Sequence, residues 1–212
     1  MRITWYGLSC FYLEGKAAKV LMDPFDTTVG YAVPAVYADV WTCSHDHYDH
    51  NYKAAIINAA VADGVDGLKK NGISITAVKT FHDMKQGAEW GENTMFVVEI
   101  DGLRIAHSGD LGHELSSGQM EALGRIDILL ITTGGIFTIG AAQAARVSKA
   151  VGARLTIPMH YATPHLRGFE LEQGIDDFIA GVDCECVNID SNVLEIDCNT
   201  LPDRAAYILT LA

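Results

Sequence analysis

Positive charge is scarce in this chain: 15 lysines and arginines stand against 27 aspartates and glutamates, a formal net charge of −12. Proteins that grip a nucleic-acid backbone concentrate Lys and Arg to displace phosphate counterions. Here no basic run exceeds the pair Lys69-Lys70, so no nucleic-acid partner is expected. Long apolar runs are missing too. Met1 to Lys16 alternates polar and apolar residues and never forms the h-region of a secretory signal. The most apolar longer stretch, Ile128 to Ala142, is broken by Thr132-Thr133-Gly134-Gly135. That falls short of the roughly 20 apolar residues of a membrane span. The cysteines, Cys10, Cys43, Cys184, Cys186 and Cys198, are odd in number and lack framework spacing, which predicts reduced thiols. Cys184-Glu185-Cys186 has one spacer residue where a redox or metal pair usually has two, and it alternates like a strand. No G-x-S-x-G elbow occurs, so a serine nucleophile of that type is excluded. These absences predict a soluble, cytoplasmic protein that acts on a small molecule, away from membranes and nucleic acids.

The sequence does have the material of a globular core. Hydrophobic residues make up 49% and charged residues 20%, and 212 residues suit one domain spanning 1–212. Short apolar or alternating runs predict strands at Arg2 to Tyr6, Phe11 to Glu14, Lys19 to Asp23 and Asp39 to Cys43. Tyr52 to Ala62 reads as a helix ending near Gly64, followed by a strand at Ile73 to Lys79. Asp101-Gly102 between Thr94 to Ile100 and Leu103 to His107 is a hairpin signal. Ser116 with Gln119 resembles a capping box for a helix stopping at Gly124, and IDILLIT then reads as a buried strand. Ala141 to Val151 is helical with Gly152 as its cap, and a strand follows at Arg154 to Pro158. Leu171, Ile175, Phe178 and Ile179 mark a last helix face before closing strands. The pattern is that of an α/β sandwich.

The chemistry is concentrated in SHDHYDH, which places His45, His47, Asp49 and His50 directly after the apolar run Val40 to Cys43. Side chains at i and i+2 of a strand share a face, so His45 and His47 can converge on one ion. Asp49 and His50 lie just beyond, where the chain turns, and can face a second. Imidazole and carboxylate are the ligands zinc and similar divalent ions favour, and a loop has no packing reason to gather three histidines. Three further candidates sit just past strand ends: His82 after Ile73 to Lys79, Asp110 within HSGD, and His160 after Leu155 to Pro158. In an α/β fold such positions meet at one rim of the sheet. His107 reads as a packed histidine inside its strand, and His113 and His165 as bystanders in polar loops.

The order Asp23, His45-Xaa-His47-Xaa-Asp49-His50, His82, Asp110 and His160 resembles the five ordered motifs of the metallo-β-lactamase superfamily over most of the chain. SHDHYDHN, HSGDLG, GGIFT and IPMHYAT are similar to the branch of small bacterial metal-dependent hydrolases related to the L-ascorbate-6-phosphate lactonase. The resemblance implies a four-layer αββα sandwich of two mixed β-sheets flanked by helices. It implies His45, His47 and His82 on a first metal, Asp49, His50 and His160 on a second, and Asp110 bridging both. It also implies Asp23 as an anchor behind the ligands and Tyr161 pointing into the cleft.

The expected chemistry is hydrolysis of a small ester, lactone or phosphodiester-like substrate by a hydroxide shared between two cations, with Asp49 orienting it or moving its proton. Zinc leads among the metals because the ligands are rich in histidine, with manganese or iron also suited. Two other classes share the pattern. One is an iron-dependent oxidoreductase of the same fold, which usually has a carboxylate where this chain has His47; the other is a non-catalytic metal-binding protein. The walls of the site are expected from Phe25 to Ala38, carrying Phe25, Tyr31, Val33 and Tyr37, and from Phe81 to Asn93, carrying Met84, Lys85 and Trp90. Lys85 is the one nearby cation suited to a phosphate or carboxylate.

Overall fold

A computed structural model describes residues 1–57, 60–63, 67–171 and 175–211, with the backbone alone described at 56–57 and 60–63. Its strands, in chain order, are β1 (Arg2–Gly7), β2 (Cys10–Glu14), β3 (Lys19–Met22), β4 (Val36–Tyr37), β5 (Val40–Cys43), β6 (Ile56–Ile57), β7 (Ala60–Asp63) and β8 (Leu68–Lys70). They continue as β9 (Ile73–Phe81), β10 (Glu92–Ile100), β11 (Leu103–His107), β12 (Ile128–Thr132), β13 (Leu155–Met159), β14 (Glu185–Ile189), β15 (Val193–Glu195) and β16 (Ala205–Leu209). The helices are α1 (Ser117–Leu123), α2 (Ala141–Val151) and α3 (Ile175–Gly181).

Two mixed sheets form, in the orders β15-β1-β2-β3-β5-β7 and β14-β16-β13-β12-β11-β10-β9-β8. Local chemistry explains most of the elements. Asp101 and Gly102 both take positive φ, 52° and 81°, so the chain reverses tightly and β11 pairs antiparallel with β10. Ser116 and Gln119 form the expected capping box of α1, and Gly152 closes α2 in the left-handed conformation. Every residue of β12 and β13 is buried, as befits parallel strands covered on both faces.

The facing sheets enclose one core, with Ile3, Trp5, Phe11 and Leu13 on one side and Phe96, Val98, Ile128, Leu130 and Ile157 on the other. A second apolar layer, including Val97, Leu129, Ile131, Ala144 and Phe178, seals the helices onto the larger sheet. A third covers the outer face of the smaller sheet, where Leu8, Tyr12 and Leu21 meet Phe25, Val29, Tyr31 and Leu171. Among the described residues no helix is long and apolar enough to cross a membrane.

Two expectations about helices are corrected. The run from Tyr52 to Ala62 is a single 3-10 turn (Lys53–Ala55) followed by β6 and β7. The open edge of β5 offers a parallel ladder, Val40 opposite Ala60 through Cys43 opposite Asp63, and pairing there overrides local helix preference. The expected stop at Gly64 lies outside the described residues. Leu171 precedes α3 and packs instead under the smaller sheet.

The topology creates the rim. β3 and β5 run parallel in one sheet, and β11, β12 and β13 run parallel in the other. β9 is two antiparallel steps from β11, so it points the same way. Their C-terminal ends therefore present Asp23, His45, His82, Asp110 and His160 along one edge of the sandwich.

Candidate metal centre

Three groups of candidate ligands converge: His45, His47 and His82; His45, His50 and Asp110; and Asp49, His50 and His160. Within each group the ligating atoms lie within 4.8 Å of one another. Nε2 of His45 and Nδ1 of His47 are 2.9 Å apart. At the centre, Oδ2 of Asp110 stands 3.2 Å from Nε2 of His50, 3.2 Å from Nε2 of His82 and 3.4 Å from Nε2 of His160. Oδ2 of Asp49 is 3.5 Å from Nε2 of His50.

A ring of hydrogen bonds turns the imidazole lone pairs inward. Asp23 is fully buried and accepts from the Ser44 backbone N–H (2.9 Å), from Ser44 Oγ (2.5 Å) and from Nδ1 of His50 (2.9 Å). Ser44 Oγ, having donated to Asp23, accepts from Nδ1 of His45 at 2.9 Å. Nδ1 of His82 donates to the Phe137 carbonyl at 2.9 Å. With their protons fixed on Nδ1, His45, His50 and His82 each offer a bare Nε2 to the centre. Asn93, also buried, ties two loops together: its Nδ2 donates to Thr80 Oγ1 and to the Ser108 carbonyl, and its Oδ1 accepts from the Asp110 backbone N–H at 2.9 Å.

Backbone geometry is equally committed. Asp23 and His160 hold positive φ, 44° and 53°, a conformation non-glycine residues adopt only when their surroundings impose it. Gly134 lies so close to His160 that a Cβ there would fall 2.1 Å from the His160 carbonyl oxygen, and a Cβ on Gly112 would fall 2.2 Å from the His82 carbonyl carbon. These two glycines let the ligand-bearing turns pack backbone to backbone.

The electrostatics describe a site that wants cations. Burial disfavours the charged form of His50, yet the carboxylates of Asp110 and Asp49 outweigh it and hold its pKa well above the ordinary value. Burial would raise Asp110, but His160, His50 and His82 hold it well below the usual carboxylate range. Burial, with neighbouring histidines adding to it, lowers His45, His47 and His160. His50 Nε2 and both ring nitrogens of His160 are buried with no hydrogen-bond partner. Since the His50 proton sits toward Asp23, its Nε2 faces Asp110 lone pair to lone pair, and only a shared proton or a cation makes that favourable. The residues present fit divalent metal ions.

The structure thus brings His45, His47, Asp49, His50, His82, Asp110 and His160 to one place and sets Asp23 behind them. His107 is buried, with Nε2 2.7 Å from the Ser9 carbonyl, apart from the cluster. His165 is exposed. His113 is more than a bystander, because its Nε2 accepts the Phe81 backbone N–H at 3.1 Å, one residue before His82. Other expectations are corrected. Tyr161 turns into the core against Trp5, ring centroids 5.5 Å apart, and burial raises its phenol to about 12. Lys85 is bound to Glu89 at 2.5 Å and does not line the cavity. Phe25 and Tyr31 pack under the smaller sheet, so the segment 25–38 forms none of the cavity wall. Only Trp90 of the expected wall residues lines it, beside Tyr48, Phe137 and Phe169, around a volume of about 250 Å³. Nothing in the sequence pointed to Tyr48 or Phe169 as wall residues. Phe137 lies in the GGIFT segment, where a glycine-rich turn after a buried strand was the available signal.

The fold and the ligand cluster define a metal-binding α/β sandwich, and its relatives are named metal-dependent hydrolases. The family profile described as "Beta-lactamase superfamily domain" matches residues 2–160. A UPF0173 metal-dependent hydrolase of Korarchaeum cryptofilum is 30% identical over 197 residues, covering 79% of this chain and 86% of the relative. Another, from Pelotomaculum thermopropionicum, is 32% identical over 198 residues, covering 77% and 85%. The crystal structure of a proposed Zn-dependent hydrolase of the metallo-β-lactamase superfamily from Thermotoga maritima shares 37% identity at a TM-score of 0.82, covering 99% of each chain. The chain belongs to the metallo-β-lactamase superfamily.

Proposed function

We propose that this hydrolase is dinuclear, with His45, His47 and His82 holding one ion, Asp49, His50 and His160 the other, and Asp110 shared between them. The observation that carries the reading is the position of Asp110 Oδ2, 3.2–3.4 Å from three buried Nε2 atoms, two of which have no hydrogen-bond partner. Two divalent ions bound there would polarise a substrate oxygen and bring the pKa of a shared water toward neutrality. The protein's own part is to place and deprotonate. Asp49 lines the cavity and its carboxylate is held ionised by His50 and His160 against the effect of burial, which suits it to orient a water or accept a proton. Trp90 and Phe137, ring centroids 5.1 Å apart, screen the ligands from bulk water on one side.

The substrate is a small ester, lactone or phosphodiester-like molecule, since about 250 Å³ falls below the usual range for drug-sized ligands. The resemblance of SHDHYDHN, HSGDLG, GGIFT and IPMHYAT to the L-ascorbate-6-phosphate lactonase branch favours a lactone. Zinc is the leading metal, with manganese or iron as alternatives. A cytoplasmic location suits cysteines that are odd in number and lack framework spacing. An oxidoreductase is disfavoured by the imidazole of His47 at a position where di-iron relatives carry a carboxylate. Elemental analysis of protein purified without added metal, paired with turnover of lactone and phosphodiester panels, tests the proposal. Two ions per chain with hydrolysis are expected; one ion, or none in metal-replete protein, overturns the dinuclear reading.

A further inference from the structure

The mouth of the centre has an unusual surface for a chain of net charge −12. Among the described residues five large apolar side chains are exposed, and four of them, Tyr48 (53%), Met84 (77%), Trp90 (45%) and Ile136 (58%), lie on the segments that carry the candidate ligands or abut them. Isolated exposed apolar residues need no explanation, but Tyr48 and Trp90 also line the cavity. The cavity wall continues inward through Phe137 and Phe169 until aromatic rings meet ligand rings: Trp90 lies 6.3 Å from His82, and Phe169 lies 6.3 Å from His160 at an interplanar angle of 28°.

Cations are as absent from the wall as aromatics are abundant. Among the described residues no Lys or Arg lines the cavity, and the carboxylates that do are those of Asp49 and Asp110. Two cations close in sequence to wall or ligand residues are already engaged. Lys85 is paired with Glu89 at 2.5 Å, and the Arg167 guanidinium donates to the Pro164 and Leu166 carbonyls at 2.8 and 2.7 Å. A phosphate or carboxylate on the substrate, away from the reacting group, would therefore lose its hydration against aromatic faces without gaining a partner. A quaternary ammonium would need rings standing around an empty centre, as in an aromatic cage. Here the rings contact one another edge to face instead, Trp90 with Phe137 at 84° and Phe137 with Phe169 at 75°. Such a wall is closed against itself and offers apolar surface to a neighbour.

Resting on the hydrolase reading, we propose that the substrate is an uncharged ester or lactone bearing a flat apolar or aromatic group, held by Tyr48, Trp90, Phe137 and Phe169. Substrates that carry a phosphate or carboxylate away from the reacting group are disfavoured by the same wall. Trp90 and Phe169 are the residues that set this preference.

The test separates this inference from the hydrolase reading by measuring binding apart from turnover. Metal-loaded protein is titrated calorimetrically with three probes of similar size: neutral benzamide, anionic 4-carbamoylbenzenesulfonate, whose sulfonate is a poor metal ligand, and cationic phenyltrimethylammonium. Benzamide should bind about tenfold tighter than either ion, and Trp90→Ala and Phe169→Ala should each weaken it about tenfold with metal content unchanged. Tyr48→Ala, at an exposed position, keeps the test open if Phe169→Ala fails to fold. Comparable binding of a charged probe, undetectable benzamide binding, or folded variants that bind as the wild type does would each overturn the inference. In parallel, phenyl acetate and 4-acetoxybenzenesulfonate are assayed for hydrolysis. No turnover of either, with benzamide binding intact, overturns hydrolysis and leaves the pocket assignment standing. Equal kcat/KM for both esters overturns the pocket assignment and leaves hydrolysis standing.

Discussion

Replacing Asp23 with asparagine changes almost no volume and removes no candidate metal ligand, yet it should disable one side of the centre. The carboxylate accepts three hydrogen bonds, from Ser44 N, Ser44 Oγ and His50 Nδ1, at 2.5–2.9 Å in a fully buried position. The Ser44 N–H meets Oδ1 while Ser44 Oγ and His50 Nδ1 share Oδ2, so the asparagine NH₂ must face either the Ser44 backbone N–H or both the Ser44 hydroxyl and the His50 N–H. Each buried donor left unmet costs about 1–3 kcal/mol, so the metal-free variant should lose about 2–4 kcal/mol of stability. With the NH₂ in the Oδ2 position, His50 escapes the clash by moving its proton to Nε2, the atom that faces Asp110 at 3.2 Å. That tautomer blocks metal binding, and loss of such a supporting carboxylate typically lowers affinity about 10- to 100-fold. Chelator competition measures the affinity, and nitrogen chemical shifts of the His50 ring report the tautomer. An Asp23→Asn protein that binds metal as the wild type does, with His50 Nε2 still unprotonated, would show that the Asp23 bond is incidental.

The other expectations are briefer. His47→Ala and Asp110→Ala should abolish hydrolysis, His165→Ala should leave kcat/KM unchanged, and His113→Ala should lower it modestly by freeing the Phe81 N–H beside His82; equal losses in all four variants would refute the division of roles. Gly134→Ala places a methyl 2.1 Å from the His160 carbonyl oxygen, so it should destabilise by about 2 kcal/mol or more and reduce metal content. A thermal melt no different from the wild type would show that the turn gives way freely. In EDTA-treated protein, stability should fall as the pH drops through the ordinary histidine value of 6.5. Burial lowers the folded pKa of His45, His47, His107 and His160, so at these four positions the unfolded chain binds more protons; His50 and His82, raised in the fold, oppose the trend. Flat or rising melting temperatures between pH 7 and pH 5 would contradict that balance, and His107→Gln should blunt the fall.

The ligand cluster was legible in sequence because metal chemistry restricts residue types and strand geometry restricts spacing. His45 and His47 follow β5 at i and i+2, and Asp110 and His160 follow the parallel strands β11 and β13, so chain order alone predicts a common rim. The hairpin at Asp101-Gly102 and the box at Ser116 were equally plain, since both depend on contacts a few residues apart. What failed depended on distant contacts. The run after Tyr52 has apolar spacing that suits a helix, and only the open edge of β5 makes it a strand. Tyr161 directly follows a candidate ligand, but its side chain takes the opposite side of the chain and meets Trp5 from the first strand. Asn93 carries no motif, and its value comes from bridging residues 80, 108 and 110, which only folding brings together.

The misplaced wall residues carry a physical point about how such a site divides its labour. Segment 25–38 looked like a specificity loop because it is aromatic and adjoins Asp23. The smaller sheet, however, has an apolar outer face, and among the described residues no α-helix covers it, so Phe25, Val29 and Tyr31 are drawn under that face. Burial of a large side chain there is worth about 1.5–3 kcal/mol, more than a solvent-facing pose beside the metals could return. The wall therefore falls to segments with no sheet beneath them to cover: Tyr48 in the ligand motif, Trp90 in the loop after β9, Phe137 after β12 and Phe169 after β13. Ligands sit at strand ends, where backbone position is over-determined by the ladder and by close packing at Gly112 and Gly134. The selective surface sits on turns that can change sequence without disturbing that frame. Substitutions at Trp90 or Phe169 should accordingly move substrate preference while leaving metal stoichiometry intact. Substitutions at Phe25 or Tyr31 should lower stability and leave preference alone, and comparing melting temperatures with kcat/KM ratios across those four alanine variants distinguishes the two sets. A change of preference in Tyr31→Ala at unchanged stability would reverse the assignment.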